Sequence, residues 1–251
     1  MKIHPRNVAG GLVLLGLLLS VTISTVRADL VLETETAYLG KKGQGDFGNA
    51  IQFEKDKSGL TILTLTAIEY APTDDFEILL EPFFYEEQHP KTGPIVRGPG
   101  DTELTLSYRI VDEGKIMPAV VIAGKVKIPT ARNLNIGTRK ADYTAYIILG
   151  KTIGGWEFNA NAAGETFGSP AGTKLKNQFI YDFSANHAIT KRLTGYAEVF
   201  GNTPPESGVS STLSGAVALE YELSKHTNVF ISEGYDTDHL TTTRIGFNYI
   251  W

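Results

Sequence analysis

Two kinds of side chain in this sequence could do chemistry: a few polar clusters of catalytic or metal-binding type, and a long series of acids and bases at even spacing. The clusters do not assemble. Ser184 and His187 stand three residues apart, which on an extended chain puts hydroxyl and imidazole on opposite faces and prevents them sharing a proton. Ser224 and His226 share a parity but fall in a short polar turn, where both are simply solvated. Asp236, Asp238 and His239 could collect a metal in a loop, yet an Asp-rich stretch without further ligands is ordinarily only a loop. The sequence holds no phosphate loop, zinc spacing or nucleotide fingerprint. Neither enzymatic activity, nor a metal, nor a cofactor is expected.

The periodic series is more informative. Glu77, Glu81, Glu103, Arg109, Lys125, Lys127, Glu157, Asp182, Glu198, Glu220, Glu222 and Arg244 each fall on one face of a stretch whose other face is apolar. Between 101 and 111, Glu103, Thr105, Ser107 and Arg109 alternate with Leu104, Leu106, Tyr108 and Ile110. Between 211 and 223, Thr212, Ser214, Glu220 and Glu222 oppose Leu213, Val217, Leu219, Tyr221 and Leu223. Period two is the signature of a strand with two unlike faces. These twelve residues are candidates to line an interior. Eight are acids and four are bases, with Lys125 and Lys127 forming an anion-attracting strip on an otherwise acidic wall.

The elements that would carry them number about twelve strands, over 46–55, 60–70, 76–86, 101–111, 117–129, 141–151, 156–164, 177–188, 193–201, 211–223, 227–235 and 240–251. Facing within 60–70 is ambiguous, because Leu63 and Leu65 compete with Ile62 and Ile68, and Glu69 alone breaks the tie. Tight turns at 72–75, 112–115, 153–155, 190–192 and 224–226 alternate with longer loops at 89–100, 130–140, 165–176 and 202–210, and with shorter members of that side at 56–59 and 236–239. Short turns alternating with long loops on an even number of antiparallel strands define a transmembrane up-and-down β-barrel. A Greek-key sandwich would not keep that alternation. The fold expected is all-β, a closed antiparallel membrane barrel.

The N-terminus opens with Lys2 and Arg6, continues as an apolar run from Val8 to Ile23, and reaches Val26-Arg27-Ala28. That is the form of a secretory signal peptide cleaved after Ala28. Its removal takes three positive charges and moves the formal charge from −5 to −8. An acidic chain without a basic run excludes nucleic acid as a partner. The domain reading is therefore a signal peptide over 1–28, a periplasmic lead-in over 29–45 and an outer-membrane barrel over 46–251. The terminal stretch LTTTRIGFNYIW places Thr241, Thr243, Ile245, Phe247, Tyr249 and Trp251 on one face. Such a strand would be an exposed edge in a soluble sheet, and closes onto the first strand in a barrel. Gly246, Phe247, Tyr249 and Trp251 fit the C-terminal signal by which Gram-negative outer-membrane barrels are recognised for insertion.

Several local sequences, in order, carry a family resemblance. Arg97-Gly98-Pro99-Gly100-Asp101 opens one strand, Lys125-x-Lys127-x-Pro129-Thr130 ends another, Asp142-Tyr143 opens the next, and Ala197-Glu198-Val199-Phe200-Gly201 closes the set. Together they resemble the bacterial outer-membrane family of meta-pathway phenol degradation proteins, often labelled simply transporters. Pro99 and Ala131 depart from the family pattern. The resemblance implies a porin-like barrel that passes small compounds, aromatic ones among them, and brings no catalytic residue with it.

The function expected is passive diffusion of small solutes through a charged lumen in the bacterial outer membrane, with a plugged structural barrel as the alternative. The partners are outer-membrane lipid, the barrel-assembly machinery and the solute. Deleting Trp251 should leave unfolded protein in the periplasm, whereas replacing Trp156 should do much less; normal outer-membrane levels of the truncated chain, read by fractionation, would remove Trp251 from the insertion signal.

Overall fold

The computed structural model describes residues 30–169, 175–206 and 208–251. The expected signal peptide and part of the loop at 165–176 lie outside the described residues. Fourteen strand segments form one sheet: β1 (Gly45–Lys55), β2 (Gly59–Thr73), β3 (Phe76–Pro82), β4 (Tyr85–Pro90), β5 (Val96–Gly98), β6 (Thr102–Val111), β7 (Ala119–Ile128), β8 (Asp142–Ile153), β9 (Trp156–Thr166), β10 (Gln178–Ala188), β11 (Leu193–Asn202), β12 (Thr212–Ser224), β13 (Thr227–Asp236) and β14 (Thr241–Ile250). β3 and β4 both pair with β2, one after the other, so they are two halves of one pass. β5 and β6 make up the next. The result is a closed antiparallel barrel of twelve strands.

Closure is made where the sequence places it. β14 pairs with β1 from Asp46–Ile250 to Lys55–Thr241, and β1 continues onto β2 from Gly45–Tyr70 to Lys55–Leu60. No sheet edge is left at membrane depth, where unpaired backbone groups have no water to meet. Both the start of β1 and the end of β14 lie at the end of the barrel that carries the tight turns, here the turn end; the opposite end is the loop end. At the turn between β8 and β9, Gly154 and Gly155 have φ of +59° and +84°, the two left-handed residues that a two-residue hairpin turn requires.

Two features differ from the sequence reading. The loop expected over 89–100 is largely a hairpin, since Glu86–Gln88 pair with Val96–Gly98. Its prolines sit at 90, 94 and 99, outside those rungs, where a missing N–H does no harm. Between β3 and β4 the wall is irregular at Phe83 and Phe84, and Gly100 N donates to Phe83 O at 2.9 Å across the break.

The second difference concerns the lead-in expected outside the barrel at 29–45. Of its described part, residues 30–40 lie inside, and 41–43 are exposed at the turn end. Leu30, Val31 and Leu32 are buried against Leu65, Ala67, Leu79 and Phe230, with Leu63 and Phe83 beside them. Ala37 packs with Val121 and Ile148. This resolves the ambiguous facing of β2: Glu69 is buried inward with Leu65 and Ala67, while Ile68 and Tyr70 are exposed on the outer wall. The inward leucines break the polar-inside rule because they cover an apolar segment of the same chain.

At the seam, Gly246 faces a crowded interior. A Cβ there would stand 2.6 Å from Asn49 O, 2.6 Å from Phe230 Cζ and 2.7 Å from Ala50 Cβ. Gly246→Ala should destabilise the barrel by about 1–3 kcal/mol through overpacking, read as a lower urea midpoint for loss of the heat-modifiable gel band. An unchanged midpoint would mean that the seam has slack at this rung.

Candidate functional site

The lumen is the concave site of this molecule, and the inner segment divides it. Residues 30–44 form no strand, so their backbone groups need partners other than a ladder. The barrel wall supplies side chains. Near the turn end, Gly40 N donates to Glu77 Oε2 at 2.8 Å. Farther in, Ala37 N donates to Asn159 Oδ1 at 3.0 Å. At mid-height, Thr34 N and Thr34 Oγ1 donate to Glu198 Oε2 at 3.0 and 2.8 Å, and Glu33 N reaches the same carboxylate at 3.1 Å. Arg244 ends the series: its Nη1 donates to Leu30 O at 3.0 Å and its Nε to Gln52 Oε1 at 2.6 Å. The guanidinium also pairs with Glu33.

Lys125 extends this frame. Its ammonium lies 3.3 Å from Glu35 of the inner segment, 3.6 Å from Glu81 and 3.4 Å from Glu103. At the turn-end rim, Tyr38 Oη donates to Glu113 Oε2 at 2.8 Å. Burial pulls the Glu113 carboxyl upward, but donation from Thr152 N, Lys151 and Tyr38 outweighs it and holds the group below the usual carboxylate range. The rim bond therefore keeps an ionised acceptor.

All twelve candidate lumen residues lie on the inward parity of their strands, but they do unlike work. Glu77, Glu198 and Arg244 bond the inner segment directly, Lys125 pairs with Glu35 of that segment, and Glu81 and Glu103 reach it only through Lys125. Arg109 sits at the rim, 2.8 Å from Asp75 and 3.0 Å from Asp112. Lys127 is near the loop end, 3.8 Å from Asp101 and paired with Asp142. Glu157 accepts from Asn159 and Asn186 at 3.1 and 3.2 Å. Asp182 accepts from Asn161 at 3.4 Å, Glu220 accepts from Tyr196 Oη at 2.6 Å, and Glu222 is half-buried at the turn end of β12. The expected anion-attracting strip is not a free one, because each of its lysines already faces carboxylates.

Sequence reasoning missed Glu33, Glu35, Asn159 and Gln52. Asn159 and Gln52 lie on inward parities but carry no charge to mark them; Glu33 and Glu35 stand in a stretch without periodicity. Of the clusters set aside, Ser184 is buried in the lumen, while His187 stacks on Trp156 at 4.7 Å on the outer wall. His226 Nδ1 lies 2.8 Å from Ile250 O in its turn. Asp236 caps its own loop, with Oδ1 accepting from Asp238 N and Leu240 N at 2.8 Å each. Of the residues expected to form a terminal signal, Phe247, Tyr249 and Trp251 are exposed outward, with the rings of Tyr249 and Trp251 stacked.

Among the described residues, cavities lie beside the segment. One, of about 230 Å³, is on the loop-end side and is lined by Glu33, Glu198, Phe200, Asn202, Asp236 and Arg244 among others. Another, of about 330 Å³, has an apolar side of Leu30, Leu32, Leu63, Leu65, Leu79 and Phe83. Its charged side sets Glu33, Glu35, Glu54, Glu81 and Glu103 against Lys125 and Arg244, five acids to two bases. An apolar wall thus faces a wall with a surplus of carboxylates across one small cavity.

Comparison with known proteins agrees with the fold. The family model described as "Putative MetA-pathway of phenol degradation" matches residues 15–251. None of the curated proteins matches the chain in sequence. Among solved structures, an outer-membrane channel from Pseudomonas putida F1 is similar with a TM-score of 0.70 at 9% identity, over 86% of this chain and 98% of that one. The NanC porin gives 0.60 at 10% identity, over 81% and 98%. The KdgM porin in complex with disordered oligogalacturonate gives 0.57 at 12% identity, over 82% and 98%. At these identities the likeness is one of fold.

Glu198→Ala removes the acceptor for three donors of the inner segment. Hydrogen bonds to a charged group contribute about 1.5–3 kcal/mol each, so the population with the segment displaced should rise roughly tenfold or more. Planar-bilayer recordings should show longer or more frequent open events; traces identical to wild type would mean that these bonds do not hold the segment in place.

Proposed function

The chain belongs to the MetA-pathway phenol-degradation family, and on that premise we propose that it is an outer-membrane channel for small, partly apolar solutes, aromatic ones included. The turn end faces the periplasm and the loop end faces outward, and the signal peptide is removed after Ala28. Solutes enter at the loop end, occupy the cavities beside residues 30–44, and leave at the turn end down their gradient.

The observation that carries this reading is the divided lumen. A barrel with a purely structural role would be served by a polar lumen filled by wall side chains. Here the chain keeps about 330 Å³ open between an apolar wall and a charged one. The surplus of acids gives the passage a preference for neutral and cationic solutes over anions. Holding the segment by side chains, rather than by a strand in the sheet, lets it yield while the wall stays closed. Hydrogen bonding to the segment also favours the second reading, a plugged barrel that does not conduct, and the same experiment separates the two.

Wild-type protein and a variant lacking residues 30–40 should be compared in planar bilayers under a salt gradient, then with benzyltrimethylammonium or benzenesulfonate as the permeant ion. Small conductance in the wild type, a large increase in the deletion, and permeability favouring benzyltrimethylammonium are expected. Absence of conductance in wild type together with an open deletion would establish the plugged reading. Preference for benzenesulfonate would overturn the assigned selectivity.

A further inference from the structure

The register of the wall shapes the loop-end cavity of about 230 Å³. Glu54, Thr242, Gly234, Ala216 and Glu198 stand in one inward row across five neighbouring strands. Gly234 and Ala216, at its middle, have almost no side chain, so the row is low at its centre and leaves a hollow there. A Cβ on Gly234 would meet nothing nearer than Ala216 Cβ at 3.4 Å. No close approach of backbone demands the glycine, and what it leaves is open lumen.

Polar groups surround the hollow, and several are uncommitted. Ser214 and Ser232 are buried, 8% and 7% exposed, and line the cavity with Asn202 and Thr242. Among the described residues, no hydrogen bond engages these four side chains. A buried hydroxyl is costly until something bonds it. Phe200, beside Ser214 on the next strand, turns a half-buried ring to the same space. Glu33, Gln52, Glu54 and Arg244 line both this cavity and the one of about 330 Å³. Arg244 Nε donates to Gln52 Oε1 and Gln52 Nε2 to Glu54 Oε1, both at 2.6 Å, and Arg244 pairs with Glu33. The two cavities thus lie side by side across one polar seam, hydroxyl-lined on one side and leucine-lined on the other.

We propose that the paired cavities bind a neutral glycoside, with the sugar in the hydroxyl-lined cavity and an apolar aglycone in the leucine-lined one. This deepens the channel reading by naming a solute class, and rests on it for entry from the loop end. A pyranose makes two demands that this cavity meets together. Its hydroxyls each donate and accept, and need hydroxyl, amide and carboxylate partners around the ring. Its C–H face is apolar and packs on an aromatic ring, here Phe200. A simple cation would use the carboxylates and leave Asn202, Ser214, Ser232 and Thr242 unbonded. A plain hydrocarbon would leave the whole polar cavity unmatched. An acidic sugar would set its carboxylate against Glu33, Glu54, Glu198 and Asp236, with Arg244 already paired.

The test is calorimetric titration of the full folded protein with phenyl β-D-glucopyranoside, in a polyoxyethylene detergent that carries no sugar. Benzyl alcohol, which keeps a ring and lacks the sugar, and phenyl β-D-glucuronide, which adds a carboxylate, are the comparisons. The glucoside should bind, and each comparison should bind at least ~tenfold more weakly. S214A with S232A should lose roughly fivefold for each hydroxyl removed. A216L, which fills the hollow, should abolish binding with its heat-modifiable band intact; if A216L does not fold, the serine pair carries the same reading. Failure of the glucoside to bind, or undiminished binding by the folded variants, would overturn the site. Equal binding of benzyl alcohol would overturn the sugar assignment, and equal binding of the glucuronide would overturn the restriction to neutral solutes. Titration needs no current. A barrel that binds the glucoside without conducting fails the channel reading alone, and one that conducts without binding it fails the glycoside assignment alone.

Discussion

A backbone amide at membrane depth has no water to turn to, and this chain meets that constraint twice, by different means. In the wall, the ladder from β1 through β14 satisfies every pass and the β1–β14 seam removes the edges. Inside, residues 30–40 have no ladder, and Glu77, Asn159, Glu198 and Arg244 take its place. Much of the interior charge follows from the second solution. A lumen charge usually suggests a solute partner, but several here answer first to the chain's own backbone.

This changes the energetics of the interior. Glu35, Glu81 and Glu103 around Lys125 are only partly exposed. Removing one member of a desolvated group leaves the others uncompensated, which costs far more than losing a surface pair. The interior acids and bases thus act as a scaffold that fixes the shape of the remaining cavities. What that scaffold leaves over is an excess of carboxylates facing the open space.

The wall was legible in the sequence because a strand between lipid and lumen writes its two faces at period two. Leu213 to Leu223, or Glu103 to Arg109, allow only one facing. β2 was ambiguous for a physical reason: Leu63 and Leu65 face the apolar inner segment while Ile68 and Tyr70 face outward, so both faces are apolar and the alternation loses contrast. The β4–β5 hairpin hid behind Pro90, Pro94 and Pro99, residues that flank its few rungs without interrupting them. Residues 30–44 gave no periodic signal at all, since a segment held by scattered side chains has no repeating environment. Their partners were visible as inward polar residues, but nothing local to Glu198 or Asn159 says that what they bind is the start of the same chain.

The bonds that hold the inner segment join residues very far apart in the chain. Thr34 and Glu198 are separated by 164 positions, and Leu30 and Arg244 by 214. Contacts of such separation form late, because so much chain must be ordered before they can be made. The first described residues to be synthesised are therefore among the last to be fixed. They must also be on the right side of the sheet when it curls shut, for once β14 zips onto β1 the cylinder can be entered only through its mouths. Biogenesis of this molecule resembles building a ship inside a bottle whose glass is still being blown, with the order of events as much a part of the structure as its hydrogen bonds.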